Sequence, residues 1–205
     1  MSENILSLTL EHLMLVSLAV LAASLIAIPT AIWSQRNPRA GSLILKLTDI
    51  IQTIPSLALF GLLLPLPLIG GIGAKLAVFV LFLYALLPIL RNTLLGLNGI
   101  SAEIRESAIA LGMTPSELLR EIEIPLAAPS IIAGLRIATV TTIGTATVAA
   151  AIGAGGLGVL LYRGLATVET ELLLAGALPA AALAILADQL FQWIEDKLST
   201  SPQPR

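Results

Sequence analysis

The residues of this chain that could do chemistry are few. There is one histidine and no cysteine, so thiolate nucleophiles, disulfides and thiolate metal sites are excluded. His12 stands alone just ahead of an apolar run, which reads as an interfacial side chain, and no metal site is expected. Gly153, Gly155 and Gly158 fit the spacing G-x-G-x-x-G, which after a strand would cradle a dinucleotide. Here an apolar run of membrane-crossing length precedes it, so close packing or a re-entrant turn is expected instead. No G-x-x-x-x-G-K-[ST] occurs, so the chain is not an ATP motor by itself. Thr139, Thr142 and Ala146 share one helical face, with Thr141, Gly144 and Thr145 beside them. Small and hydroxyl residues let helices pack closely; the same hydroxyls could replace water around a polar solute along a path. A membrane-embedded hydrolase would need converging nucleophiles, bases or metal ligands. Scattered threonines and one peripheral histidine do not supply them.

The stretch 98–123 is the one long polar segment. Within it Ile104, Ala108 and Leu111 recur at helical spacing, which predicts a short helix over about 101–111 with one apolar face. Gly112 then suits a left-handed position just past the helix end. In Thr114-Pro115-Ser116-Glu117 the threonine can cap, the proline fits the first helical position and the glutamate completes a capping box. A second helix is expected to about Ile124, with Pro125 stopping it. Such a helix, glycine turn and helix could float at an interface as an amphipathic loop. Alternatively it could dock on a partner that covers its apolar residues, for which such definite capping is better suited.

The elements that position these residues follow from composition. Of 205 residues, 57% are hydrophobic and 12% charged, about half the charge of an ordinary soluble domain. A soluble globule could not cover its surface with so little; lipid removes the difficulty. A crossing helix needs about 20 apolar residues, and five runs qualify: 13–34, 50–64 with a bend near Pro55, 76–90, 129–151 and 172–193. Lys75 and Arg91 would snorkel at the ends of the third. Residues 1–12 hold no Lys or Arg, so the first run is expected to be a retained span rather than a cleaved leader. The whole of 1–198 reads as one membrane domain, with a polar tail at 199–205. Five spans leave nine of the 11 basic residues on one side, Arg36, Arg39, Lys46, Arg91, Arg105, Arg120, Arg136, Lys197 and Arg205, and only Lys75 and Arg163 on the other. The positive-inside rule then makes 98–123 cytoplasmic, the N-terminus external and the C-terminus internal. Arg136 and Asp188 fall inside spans; Arg136 either reaches headgroups or serves a gate. Trp33 and Trp193 suit interface anchors. The net charge of −2 points to no nucleic-acid partner.

Glu106, Ser107, Ala108, Gly112, Ile122, Ile124 and Pro125 resemble, in register, the E-A-A…G…I-x-L-P motif of bacterial ABC-importer permeases. Ser107 replaces the alanine between Glu106 and Ala108, and Ile124 replaces the leucine. The runs 52–58, 87–93 and 153–158 look like the osmoprotectant branch of that family, which handles glycine betaine, choline and carnitine. The resemblance implies an all-α membrane protein with the type I importer permease fold, in which the polar segment is a coupling helix inserted into a separate cytoplasmic ATPase. Carried over, Glu106, Ser107, Ala108, Leu111, Gly112 and Pro125 form the coupling site, with Ala108 allowing close approach, Gly112 making the turn and Glu106 anchoring the loop by hydrogen bonds. Thr139, Thr142 and Thr145 are the candidates for a translocation path. The implied partners are ABC ATPase subunits carrying ATP and Mg, a second permease copy or paralogue, an extracytoplasmic solute-binding protein and the inner-membrane lipid. No cofactor is expected on this chain. Another small polar solute, an amino acid such as methionine, is the alternative cargo; a passive channel or scaffold would leave the polar segment unexplained.

Overall fold

Four alanines at intervals of four, Ala19, Ala23, Ala27 and Ala31, are each at most 1% exposed. They form the inner seam of helix α1, Ile5–Arg36. Small side chains at this spacing let backbones approach where no water drives the helices together. The computed structural model describes residues 5–66 and 70–199. After α1 come α2 (Pro38–Thr53), α3 (Ser56–Leu63), α4 (Ala74–Asn98) and the short α5 (Ala102–Ala110). Then follow α6 (Pro115–Ala146), a 3-10 segment (Val148–Ile152), α7 (Gly158–Thr167) and α8 (Thr170–Ser199). No strand occurs among the described residues.

Four helices, α1, α4, α6 and α8, are each long and apolar enough to cross a membrane, and α2 with α3 makes a fifth if that bent pair is one span. The central helix is α4, packed chiefly on α1 and α6, while α8 packs on α6 and α7. The α4–α6 crossing is tight because Gly134 lies against it. A Cβ there would sit 2.8 Å from the Asn92 Cβ and 2.9 Å from the Pro88 carbonyl. The core around these helices includes Phe60, Leu81, Ile89, Leu90 and Ile143, all buried.

Several boundaries differ from expectation, each for a physical reason. The second run is not one straight helix from residue 50. It starts at Pro38, and its two parts meet at 98°. Pro55 pushes Ile54 into an extended conformation (φ −74°, ψ 125°), as a residue before proline prefers. The break is bonded by the Tyr84 hydroxyl, which donates to the Ile54 carbonyl, and by Gln52 Nε2, which donates to the Tyr84 carbonyl at 2.6 Å. Pro125 does not stop the second polar helix: that helix and the fourth span are one element, α6. A proline ring crowds the carbonyl four residues back. Residues Leu118–Glu123 form a wider π turn, which makes room for it. Helix α4 runs seven residues beyond Arg91, and Arg91 meets Asp49 at 2.6 Å. Between the fourth and fifth apolar runs lies a further helix, α7.

Arg136 sits between Asp188 and Glu195 of α8, 3.3 Å from each. His12 is not an exposed interfacial side chain but lies inside the bundle. Because α1 begins well before the apolar run, His12 falls on the buried stripe with Leu15 and Ala19, wholly enclosed, and its Nε2 donates to the Ile143 carbonyl at 3.0 Å. Trp33 and Trp193 are half-exposed, and the Lys197 ammonium lies 3.7 Å from the Trp193 ring centre. Helix α8 is described to Ser199; residues 200–205 of the expected tail lie outside the described residues.

Candidate functional site

Helix α5 is nine residues long, too short to persist without tertiary support; its N-cap residue, Ser101, makes no side-chain capping bond, but its C-terminal end is closed. At its C-terminus the Met113 N–H donates to the Ala108 carbonyl at 3.2 Å and the Gly112 N–H to the Ile109 carbonyl at 2.9 Å. This is the paired closure of a Schellman turn. It requires a left-handed residue, and Gly112 supplies φ +86°. The next helix starts on a complete capping box. The Glu117 N–H donates to Thr114 Oγ1 at 3.3 Å, and the Thr114 N–H to Glu117 Oε2 at 2.7 Å. The Thr114 hydroxyl and then its backbone N–H hold the Glu117 carboxyl below its ordinary range. At the start of α5 the Ser101 hydroxyl does the same for Glu103.

The surface of this unit is divided. Ala108 is buried, which seats α5 on the bundle, while Ile104, Ile109 and Leu111 point out, Leu111 being 85% exposed. Three aliphatic side chains on a segment rich in Glu, Arg and Ser are left uncovered by the chain itself. Glu106, Ser107 and Gly112 are exposed around them, and so is Pro125 at the far side of the π turn. The expected anchoring hydrogen bonds are not made by Glu106, which makes none among the described residues. They are made by its neighbour. Arg105 Nε donates to Glu123 Oε1 at 2.8 Å, and its two terminal nitrogens donate to the Ile100 carbonyl at 3.0 Å and the Leu97 carbonyl at 2.5 Å. Glu123 is itself buried.

The threonine face is split. Thr142 is buried inside the bundle, whereas Thr139 and Thr145 are half-exposed and Thr141 is exposed. Thr139 donates to the Leu135 carbonyl at 2.8 Å and Thr145 to the Thr141 carbonyl at 2.9 Å. Both hydroxyls are therefore spent on their own helix, and in this conformation Thr142 lies off any surface a solute could touch. The glycine run is packed at Gly156 and Gly158, where the Gly156 N–H donates to Glu11 Oε2 at 3.0 Å, while Gly153 is exposed. Neither Arg105–Glu123 nor Glu11–Gly156 was singled out in the sequence. The available signal for the first was a single acid, Glu123, at the head of an apolar run.

Against this geometry the comparisons with known proteins are consistent. The profile of the family described as "Binding-protein-dependent transport system inner membrane component" matches residues 15–200. The carnitine transport permease protein OpuCD of Listeria monocytogenes is 44% identical over 92% of this chain and 84% of its own length. The choline transport system permease protein OpuBB of Bacillus subtilis is 40% identical, covering 96% and 89%. The osmoprotectant import permease protein OsmW of Salmonella typhimurium is 45% identical, covering 92% and 89%. Among solved structures, a chain of the MetNI methionine ABC transporter in an inward-facing conformation superposes with a TM-score of 0.84 at 21% identity, covering 97% and 99%. At that identity the likeness reports the fold alone. The chain belongs to the family of inner-membrane components of binding-protein-dependent transport systems.

Proposed function

We propose that this chain is the permease subunit of an ATP-driven importer of quaternary-ammonium osmoprotectants such as glycine betaine, choline or carnitine. The observation that carries the coupling role is the α5 unit: closed by a glycine turn and followed by a capping box, seated by Ala108, and presenting Ile104, Ile109 and Leu111 uncovered among polar residues. Apolar side chains held out on a rigid turn are the natural insert for a groove on a cytoplasmic ATPase. The cargo class follows from the relatives' names, whereas the methionine transporter shares only the fold.

In the proposed orientation α5 faces the cytoplasm, with Arg36, Arg39 and Arg120 on the same side; the N-terminus is external and the C-terminus internal. Two copies, or this chain and a paralogue, enclose the path. ATP and Mg are held by the ATPase. Its closure draws the α5 units together and opens the path toward a docked solute-binding protein, and hydrolysis resets it. This chain carries no covalent chemistry. Its aromatic residues do not form the cage that holds a quaternary ammonium ion tightly, so selection rests with the binding protein. Thr139, Thr142 and Thr145 remain the proposed path residues: the oxygens of Thr139 and Thr145 can still accept a hydrogen bond, and Thr142 would reach solute only once the helices part.

The test is uptake into proteoliposomes holding this chain with the ATPase and binding protein. ATP-dependent entry of labelled glycine betaine, choline or carnitine is expected, with no competition by methionine. Uptake of methionine alone would reject the cargo, and uptake that persists without the ATPase would reject the coupling.

A further inference from the structure

We propose that Arg105 is the positioning residue through which movement of α5 reaches the membrane helices. The proposal rests on the coupling role given to α5 above. A nine-residue helix held only by its two connecting turns would yield when pulled, and Ala108 is its one buried residue. Arg105 removes that slack. Its guanidinium grips three places at once: Glu123 at the end of the π turn of α6, the Leu97 carbonyl at the C-terminal end of α4, and the Ile100 carbonyl just beyond. The fork geometry makes this possible, since a lysine has no planar set of donors to divide among several partners. The carbonyls at the end of α4 also carry the negative end of that helix's dipole. Gln35, near the end of α1, reaches the same Glu123 carboxylate and the same Leu97 carbonyl, at 3.4 Å each. One side chain of α5 is thereby tied to the ends of α4 and α6, with α1 joined through Gln35.

The pair is set apart from surface ion pairs by burial. The Glu123 side chain is 6% exposed and that of Arg105 26%, against 44% and 57% for Asp49 and Arg91. A buried carboxylate that loses its cation is left with a desolvation cost it did not have before, so the pair resists being pulled apart. Beside it opens a cavity of about 600 Å³, lined by Gln35, Arg36, Asn98 and Met113 among others. That space borders the ends of α1 and α4, helix α5 and the head of α6.

The experiment uses the complete transporter in proteoliposomes, with uptake and ATP hydrolysis measured on the same vesicles. Arg105→Gln is expected to keep the ATPase bound and hydrolysing while solute moved per ATP falls about tenfold. Arg105→Lys should lose less. Adding Glu123→Gln to Arg105→Gln should lose nothing further, because both act through one contact. A second readout uses the absence of cysteine. Spin labels at Ala102→Cys and Glu121→Cys should keep one separation with and without ATP when Arg105 is present, and a broadened one in Arg105→Gln. Unchanged solute per ATP in Arg105→Gln overturns the proposal. So does a fall in ATPase binding that accounts for the whole loss of uptake, or a label separation that shifts on ATP binding with Arg105 intact. A wild-type chain that binds no ATPase removes the coupling role itself and this link with it.

Discussion

Helix α6 has a glycine turn at each end, and the two are built for opposite purposes. At Gly112 the backbone is left-handed, but a Cβ there would meet nothing within 4 Å. At the other end Gly153, Gly155 and Gly156 are also left-handed, but this turn is filled. A Cβ on Gly155 would lie 2.5 Å from Glu11 Oε2, one on Gly156 3.2 Å from His12 Nδ1, and one on Gly158 only 2.0 Å from the Thr147 carbonyl. The first turn uses glycine for conformation alone and leaves its neighbours free to contact a partner. The second uses glycine for space as well and locks the far end of α6 to α1. A helix with an exposed turn before one end and a crowded turn past the other suits a part that receives a push at the first and holds its place at the second.

The largest effect that separates the two turns is expected at Gly158. An added methyl must displace backbone, not a flexible side chain, and Gly158→Ala should cost about 3 kcal/mol or more. Folded, monodisperse protein should nearly vanish on size exclusion in detergent; a normal yield would mean that the filled turn is not rigid. Next comes Gly112→Val. Holding a β-branched residue at φ +86° costs about 1–3 kcal/mol, with no steric clash added. The protein should insert and fold, while uptake per ATP falls about tenfold because the turn no longer presents Leu111 correctly. Gly112→Asn, whose side chain tolerates the left-handed region, should recover much of it. Uptake by Gly112→Val equal to wild type would remove the turn from the coupling unit.

The open turn was legible in the sequence because every part of it is local. Gly112, Thr114, Pro115 and Glu117 act on backbone groups a few residues away, and the structure forms the expected closure and capping box from them. The filled turn was legible only as a tight place. Thr147, which crowds Gly158, is local, but Glu11 and His12, which fill the space at Gly155 and Gly156, lie more than 140 residues away along the chain, and no local pattern pairs them. The same limit hid Arg105–Glu123 and the acidic pair around Arg136. Glu106 drew attention through the motif, while the bonds went to the residue beside it. Proline was read correctly where it acts through its predecessor, at Ile54. It was misread at Pro125, where the preceding π turn relieves the clash and the helix continues. Hydropathy found the apolar runs but not the helix ends, since α2 and α6 begin in polar sequence.

Glu11 tests the filled turn from its partner's side. Its carboxylate accepts from the Gly156 N–H at 3.0 Å, and Glu11→Ala should lower stability by about 1.5 kcal/mol, the range for a hydrogen bond to a charged group. The fall should appear in a thermal melt of the purified protein, with uptake per ATP by the surviving protein unchanged. Loss of coupling without loss of stability would mean that this end of α6 also transmits motion, and the contrast between the two turns would fail.

The smallest effect is expected at the cap that follows the open turn. Thr114→Ala removes the acceptor for the Glu117 N–H, and amide exchange there should rise about fivefold at neutral pH. Uptake should change by less than about twofold, since Gly112 still sets the turn. The cap also has a pH signature. Thr114 holds the Glu117 carboxyl below its ordinary range, so the folded form binds that proton more weakly than the unfolded form does. The cap's contribution is therefore complete above the ordinary carboxylate range, around pH 4.3, and is lost as pH falls through the lower folded value. Exchange at Glu117 in the wild type should stay slow through neutral pH and accelerate beyond the intrinsic trend only in acid. In Thr114→Ala that acid step should shrink, because the group that favoured the ionised carboxyl is gone. An acid step of undiminished size in the variant would show that the carboxyl is held by something other than Thr114. A loss of uptake as large as that of Gly112→Val would show that the cap, not the glycine, sets how α5 is presented.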